Sequence, residues 1–65
     1  MYLLKIKGTE KIPDFVQIRD KKMTLIAYFR LSQIEKGIEK NNLMQYKQKI
    51  IDGISKTSFG KIYKL

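Results

Sequence analysis

Residues 18–31, IRDKKMTLIAYFRL, bring a basic turn, an apolar run, two adjacent aromatics and an arginine into one short stretch. It reads either as a strand that displays rings to nucleic acid or as a structural strand of a small basic domain. Alternation of side chains separates the two. Tyr28 and Phe29 are neighbours, so an extended backbone sends them to opposite faces. An RNA-recognition sheet needs its aromatics together on one face. Arg30 shares a face with Tyr28, which leaves one aromatic–arginine pair in place of a platform. Met23 to Leu31 is therefore read as a structural strand, with Phe29 in the core and Tyr28 half-buried. Met23, Leu25, Ala27 and Phe29 share one face, and Ile26 and Tyr28 the other. Apolar groups on both faces predict an interior place in the sheet.

Working outward, Phe15 to Arg19 is a second strand, with Val16 and Ile18 facing together. It is joined to the first through Asp20–Lys22, and the pair should form a hairpin. Upstream, Tyr2 to Lys7 reads as a strand with Tyr2, Leu4 and Ile6 on one face. Gly8 ends it, and a polar loop runs to the turn signal Pro13–Asp14. Downstream, Ser32-Gln-Ile-Glu35 has the form of a capping box. The helix it predicts runs to about Lys40, buries Ile34 and Ile38, and is weakened by Gly37. Asn41–Asn42 breaks it. Asn42 is placed to cap a second helix, with Gln45 at its third position. Leu43, Tyr46, Ile50 and Ile54 form the apolar stripe of that helix, with Met44 and Ile51 at its margin. Lys47 lies inside the stripe, and its stem is expected to cover the core while its amine reaches water. Thr57 to Gly60 is a turn, and Lys61 to Leu65 a last short strand. The expected fold is α+β, a single domain over residues 1–65 in the order β-β-β-α-α-β. It pairs a small antiparallel sheet of three to four strands with one or two helices on one face.

At 65 residues the chain is close to the lower limit for folding alone. Such a domain buries about 60% of the surface its unfolded form exposes, and its core contributes no more than about 3–5 kcal/mol net. There is no cysteine and no histidine, so disulfides, thiolate metal sites and the commonest zinc and haem ligands are excluded. The absence of cysteine suits a reducing compartment. MYLLKIKG is too short and too soon charged for a signal peptide. The longest uncharged run, Met23 to Phe29, falls far short of the roughly 18 apolar residues of a membrane span.

The net charge is +8, from 14 basic and 6 acidic residues. That balance favours an anionic partner: nucleic acid, acidic headgroups or an acidic protein face. All the basic residues are lysine except Arg19 and Arg30, whereas base readout and bidentate phosphate clamps favour arginine. Lysine, isoleucine and asparagine share AT-rich codons, so part of the charge is also what a low-GC genome would produce. Arg19, Lys21, Lys22 and Arg30 gather around the hairpin. With Tyr28 they are the candidate partner-binding residues.

Catalytic patterns fail one after another. GISKTSFGKI, residues 53–62, lacks two marks of a phosphate-binding loop: Ser55 stands where glycine is needed, and Ile62 where serine or threonine is needed. Glu35 and Glu39 are interleaved with Lys36 and Lys40, the look of a solvated helix face. Ser32, Ser55 and Ser58 have no histidine to activate them. Neither an enzyme nor a cofactor is expected. A membrane-surface role for the second helix is the weaker reading, since its apolar stripe is needed for the core.

Two fragments carry a resemblance. KGTEKIPDFVQIRD, residues 7–20, is similar to the early strand-and-loop region of a soluble photosystem II assembly factor, with its basic–glycine start, acidic residue, Ile-Pro-Asp and alternating strand. GKIYKL, residues 60–65, resembles the strand that closes the small phycobilisome linker domain, although Leu43 to Ile54 is an additional helix here. What these resemblances imply is a small basic accessory protein of cyanobacteria or red-lineage plastids. It would act in the cytoplasm or the stroma, at the periphery of the thylakoid. The expected function is thus a non-enzymatic accessory or assembly subunit that binds a larger complex with an acidic face. RNA or a ribonucleoprotein, bound through the lysine-rich surface, is the alternative partner.

Overall fold

A computed structural model describes residues 1–65. The chain forms β1 (Tyr2–Ile6), β2 (Phe15–Arg19), β3 (Leu25–Arg30), α1 (Ile34–Lys40), α2 (Lys47–Lys56) and β4 (Ile62–Lys64), with 3-10 turns at Leu31–Gln33 and Met44–Tyr46 leading into the helices. The strands make one four-stranded sheet in the order β3-β2-β1-β4, antiparallel at every pairing. This is the α+β architecture expected, with β2 and β3 joined as a hairpin. No helix is long and apolar enough to cross a membrane.

Leu3, Val16, Ile18, Ala27 and Phe29 point from one face of the sheet into a core completed by Ile38, Leu43, Ile50 and Ile54. Val16 and Ile18 share the buried face as their alternation requires. In β1 the shared face of Tyr2, Leu4 and Ile6 turns out to be the outer one, and Leu3 alone reaches full burial. Lys5, on the inner face with Leu3, is accommodated because its Nζ donates to the Ile54 carbonyl at 3.0 Å. That carbonyl is one of the acceptors left unpaired at the end of α2. The same amine stands 4.8 Å from the Phe59 ring centroid. Lys47 is half-buried, and its Nζ faces Glu35 Oε1 at 3.7 Å.

Four expectations are corrected. First, β3 lies at the edge of the sheet and not in its interior; its outer apolar residues are exposed, with no neighbouring strand beyond them. Second, the strand does not begin at Met23. Lys21–Met23 is a three-residue loop in which the Met23 amide donates to the Asp20 carbonyl (2.9 Å) and the Asp20 amide to the Thr24 carbonyl (2.9 Å). Met23 takes the left-handed conformation (φ 67) that this loop type requires. Arg19 then pairs with Leu25 while Ile18 pairs with Ala27. Ile26 is therefore an extra residue in β3. Such a bulge breaks the alternation, so Leu25 leaves the face of Ala27 and Phe29 and is exposed together with Ile26.

Third, the Ser32–Glu35 capping box does not form. Ser32 sits inside the 3-10 turn, and neither this turn nor α1 has a side-chain cap at its start. Fourth, Asn42 ends α1 instead of opening the second helix. It is left-handed (φ 58), with its amide on the Glu39 carbonyl (3.2 Å) and the Leu43 amide on the Ile38 carbonyl (2.9 Å). This is a Schellman motif with asparagine in place of glycine, and both Leu43 and Ile38 lie in the core. The second helix proper starts only at Lys47, so Gln45 lies in the preceding 3-10 turn.

Candidate binding face

Both helices cover the same side of the sheet, so the other side is open. The register brings its side chains into rows. Ile6, Phe15 and Arg30 stand side by side, as do Leu4, Gln17 and Tyr28. At the far edge Lys64 pairs with Tyr2 and Ile62 with Leu4. The open face thus carries Tyr2, Leu4, Ile6, Phe15, Tyr28 and Ile62 among Arg19, Arg30 and Lys64, with no carboxylate among them. Tyr28 is 50% exposed. Its ring stacks on Phe15, diagonally across the strand pair, at 4.5 Å between centroids and 9° between planes.

The acidic side chains are elsewhere. Asp14 Oδ1 accepts from the Gly8 amide at 2.6 Å. Asp20 Oδ1 accepts the amides of Lys22 (2.8 Å) and Thr24 (2.9 Å), which ties it into the hairpin loop. Glu35, Glu39 and Asp52 lie on the helices. Lys47–Glu35 is the one ion pair in the structure, so the basic surface is otherwise uncompensated at close range. No group of three or more potential metal-ligating side chains forms.

The five candidate residues fall into different roles. Arg19 is engaged within the domain: its Nε and Nη2 donate to Gln17 Oε1 (3.2 and 2.9 Å), and its Nη1 to the Met23 carbonyl (2.8 Å). The guanidinium thereby braces the left-handed turn, while its charge remains unpaired. Lys21 and Lys22 are exposed at the tip of the loop. Arg30 lies at the opposite end of β3, beside Phe15, so the four cations do not gather at one end of the hairpin. Tyr28 and Arg30 instead face a groove of about 460 Å³ between the edge of β3 and α1, lined also by Phe15, Lys36 and Lys40.

Phe15, Lys36 and Lys40 were not singled out by the sequence. The signal for Phe15 was its register opposite Arg30, which the hairpin loop and the bulge at Ile26 set together. For the lysines it was their spacing on the helix, which put both on the turn beside β3.

No family model, curated protein or solved structure matches the chain.

Proposed function

We propose that the protein is a non-enzymatic accessory or assembly subunit that docks on an acidic surface of a larger complex through the open face of its sheet. The carrying observation is the make-up of that face, an aromatic and aliphatic centre among Arg19, Arg30 and Lys64 with no carboxylate. Aromatic residues and arginine are the types enriched at the centres of protein interfaces. The aliphatic share favours a protein over nucleic acid, because Leu4, Ile6 and Ile62 offer no ring for a base to stack on. The size is adequate. One side of a standard interface takes about 800 Å², a fraction of the 4787 Å² this domain exposes. The sequence resemblances make a light-harvesting or photosystem complex, approached from cytoplasm or stroma, the first partner to test. Co-purification from the native source at low salt should recover the protein with a larger complex. Migration at its monomer mass alone would overturn the reading.

The Phe15–Tyr28 stack supports RNA as a second reading, since paired rings beside Arg30 are a stacking surface for bases. A fluorescence-anisotropy titration with a short single-stranded RNA at two salt concentrations tests it. Each phosphate contact should add about 0.7 to the logarithmic salt slope, and Tyr28→Ala should weaken binding. Absence of binding at low salt removes this reading.

A further inference from the structure

We infer that the free edge of β3 binds an extended acidic peptide segment by strand addition, with the segment lying in the groove between β3 and α1. This deepens the docking reading and rests on its acidic partner. The argument starts from the hydrogen-bond ladder. In an antiparallel pair, residues alternate between exchanging both backbone bonds with the partner strand and turning both groups away from it. The Leu31 amide donates to the Asp14 carbonyl at 2.9 Å, which places Leu31 and, by alternation, Phe29 among the residues that bond to β2. Tyr28 and Arg30 are the ones turned outward. The Arg30 carbonyl already opens the 3-10 turn Leu31–Gln33 as its cap residue. That leaves the amide and carbonyl of Tyr28 and the amide of Arg30 directed at the open edge.

An edge of this kind is a template for another strand unless it is short, bulged or guarded by charge. The opposite edge is guarded, because β4 has three residues and carries Lys64. In β3 the bulge disrupts the Leu25–Ile26 end only, and Ala27 to Arg30 stay regular. The occupant follows from charge. Arg30, Lys36 and Lys40 line the groove with no acidic side chain among the lining residues. Of the carboxylates on the adjacent helix, Glu35 stands 3.7 Å from Lys47, and neither Glu35 nor Glu39 lines the groove. A strand laid along β3 would send alternate side chains toward the lysines of α1 and toward the Phe15–Tyr28 stack. Acidic residues alternating with apolar ones satisfy both sides. A second copy of the chain is disfavoured, since each carries +8.

The test uses the full chain and a synthetic peptide of about ten residues alternating glutamate and valine, long enough to span a six-residue strand. Amide exchange and chemical shifts are followed by NMR. The expected result is slowed exchange of the Tyr28 and Arg30 amides on binding. An isocharged peptide N-methylated at alternate backbone nitrogens should bind roughly tenfold more weakly or worse, since backbone pairing carries the affinity in this mode. The exposed substitutions Arg30→Glu and Lys36→Glu should weaken the unmethylated peptide without unfolding the domain. Equal binding of the methylated peptide would show attraction by charge alone and overturn the inference. So would shifts confined to Tyr2, Leu4 and Ile62, or protection of both amides in the free protein through dimerisation, or displacement of the peptide from these amides by RNA. If a larger complex co-purifies while both amides keep exchanging freely within it, the edge inference fails and the docking reading stands. If the amides are protected by the peptide but no complex is recovered, the reverse holds.

Discussion

Gly37 lies in the middle of α1, and helix propensity alone makes Gly37→Ala stabilising by about 0.8–1.0 kcal/mol. The packing reverses that sign. A methyl group at this position would lie 2.6 Å from Phe29 Cβ and closer still to the ring, where carbon atoms normally rest about 3.5–4.0 Å apart. Helix and sheet would have to separate by about 1 Å to restore ordinary contact distances. Rotating the Phe29 side chain gives no relief, because Cβ is fixed by the β3 backbone. Overpacking of this kind costs about 1–3 kcal/mol, and a clash with a backbone-anchored atom belongs in the upper part of that range. The net expectation is a loss of about 1–2 kcal/mol, equivalent to a melting temperature lowered by roughly 4–8 °C per kcal/mol in so small a domain. Gly53→Ala is the internal control. The added methyl there would lie 3.0 Å from Tyr63 Cδ1 and 3.1 Å from Leu65 Cδ2, contacts with side chains near the end of the chain that a shift of a few tenths of an ångström relieves, so this change should be neutral or stabilising. Thermal unfolding of both variants by circular dichroism checks the pair. An equal rise in melting temperature for the two would refute the close approach of α1 to β3 at Phe29.

The remaining expectations can be read from the same melts. Phe29→Ala should cost about 3–5 kcal/mol, comparable to the whole stability of a domain this size, and leave the protein unfolded or dependent on a partner. Tyr28→Ala should cost only about 0.5–1.5 kcal/mol through the lost stack with Phe15; a folded Phe29→Ala protein that had lost its partner would make β3 a recognition strand first and a core strand second. Ser32→Ala should shift stability by less than about 0.5 kcal/mol, since its hydroxyl caps nothing; a loss near 1 kcal/mol would restore the capping box. Met23→Gly should raise stability by up to about 1 kcal/mol by relieving a left-handed backbone at a residue with a Cβ, and a lowered melting temperature would mean that the loop does not hold that conformation.

Much of the fold was legible because it is local. The alternation of Val16 and Ile18, the pairing of β2 with β3 as a hairpin and the inward spacing of Ile50 and Ile54 on α2 are each signalled within a few residues, and the structure shows all three. Helix ends were less legible. Ser32 and Asn42 are both good cap residues, yet tertiary packing draws a 3-10 turn through Ser32 and sets Asn42 in the left-handed position that closes α1 on Leu43. Residue type alone does not distinguish an asparagine that starts a helix from one that ends the helix before it.

The candidate face was hidden for a further reason. Period two says which side chains share a face but not which face is buried, and in β1 the more apolar set, Tyr2, Leu4 and Ile6, is the outer one. Leu3 and Lys5 look like the wetter set, and only the Ile54 carbonyl across the core makes room for the Lys5 amine. Likewise both faces of Met23 to Leu31 are apolar whether the strand is central or at an edge. The answer lies in the pairing of β1 with β4, two segments at opposite ends of the chain, which leaves β3 with no neighbour beyond it. The sequence by itself determined the element order, the charge and the absence of thiol and imidazole chemistry, because these depend on composition and short-range periodicity. The open face, the groove beside α1 and the free edge at Tyr28 and Arg30 were decided by tertiary structure, because each is made by residues that become neighbours only when distant strands and helices pack.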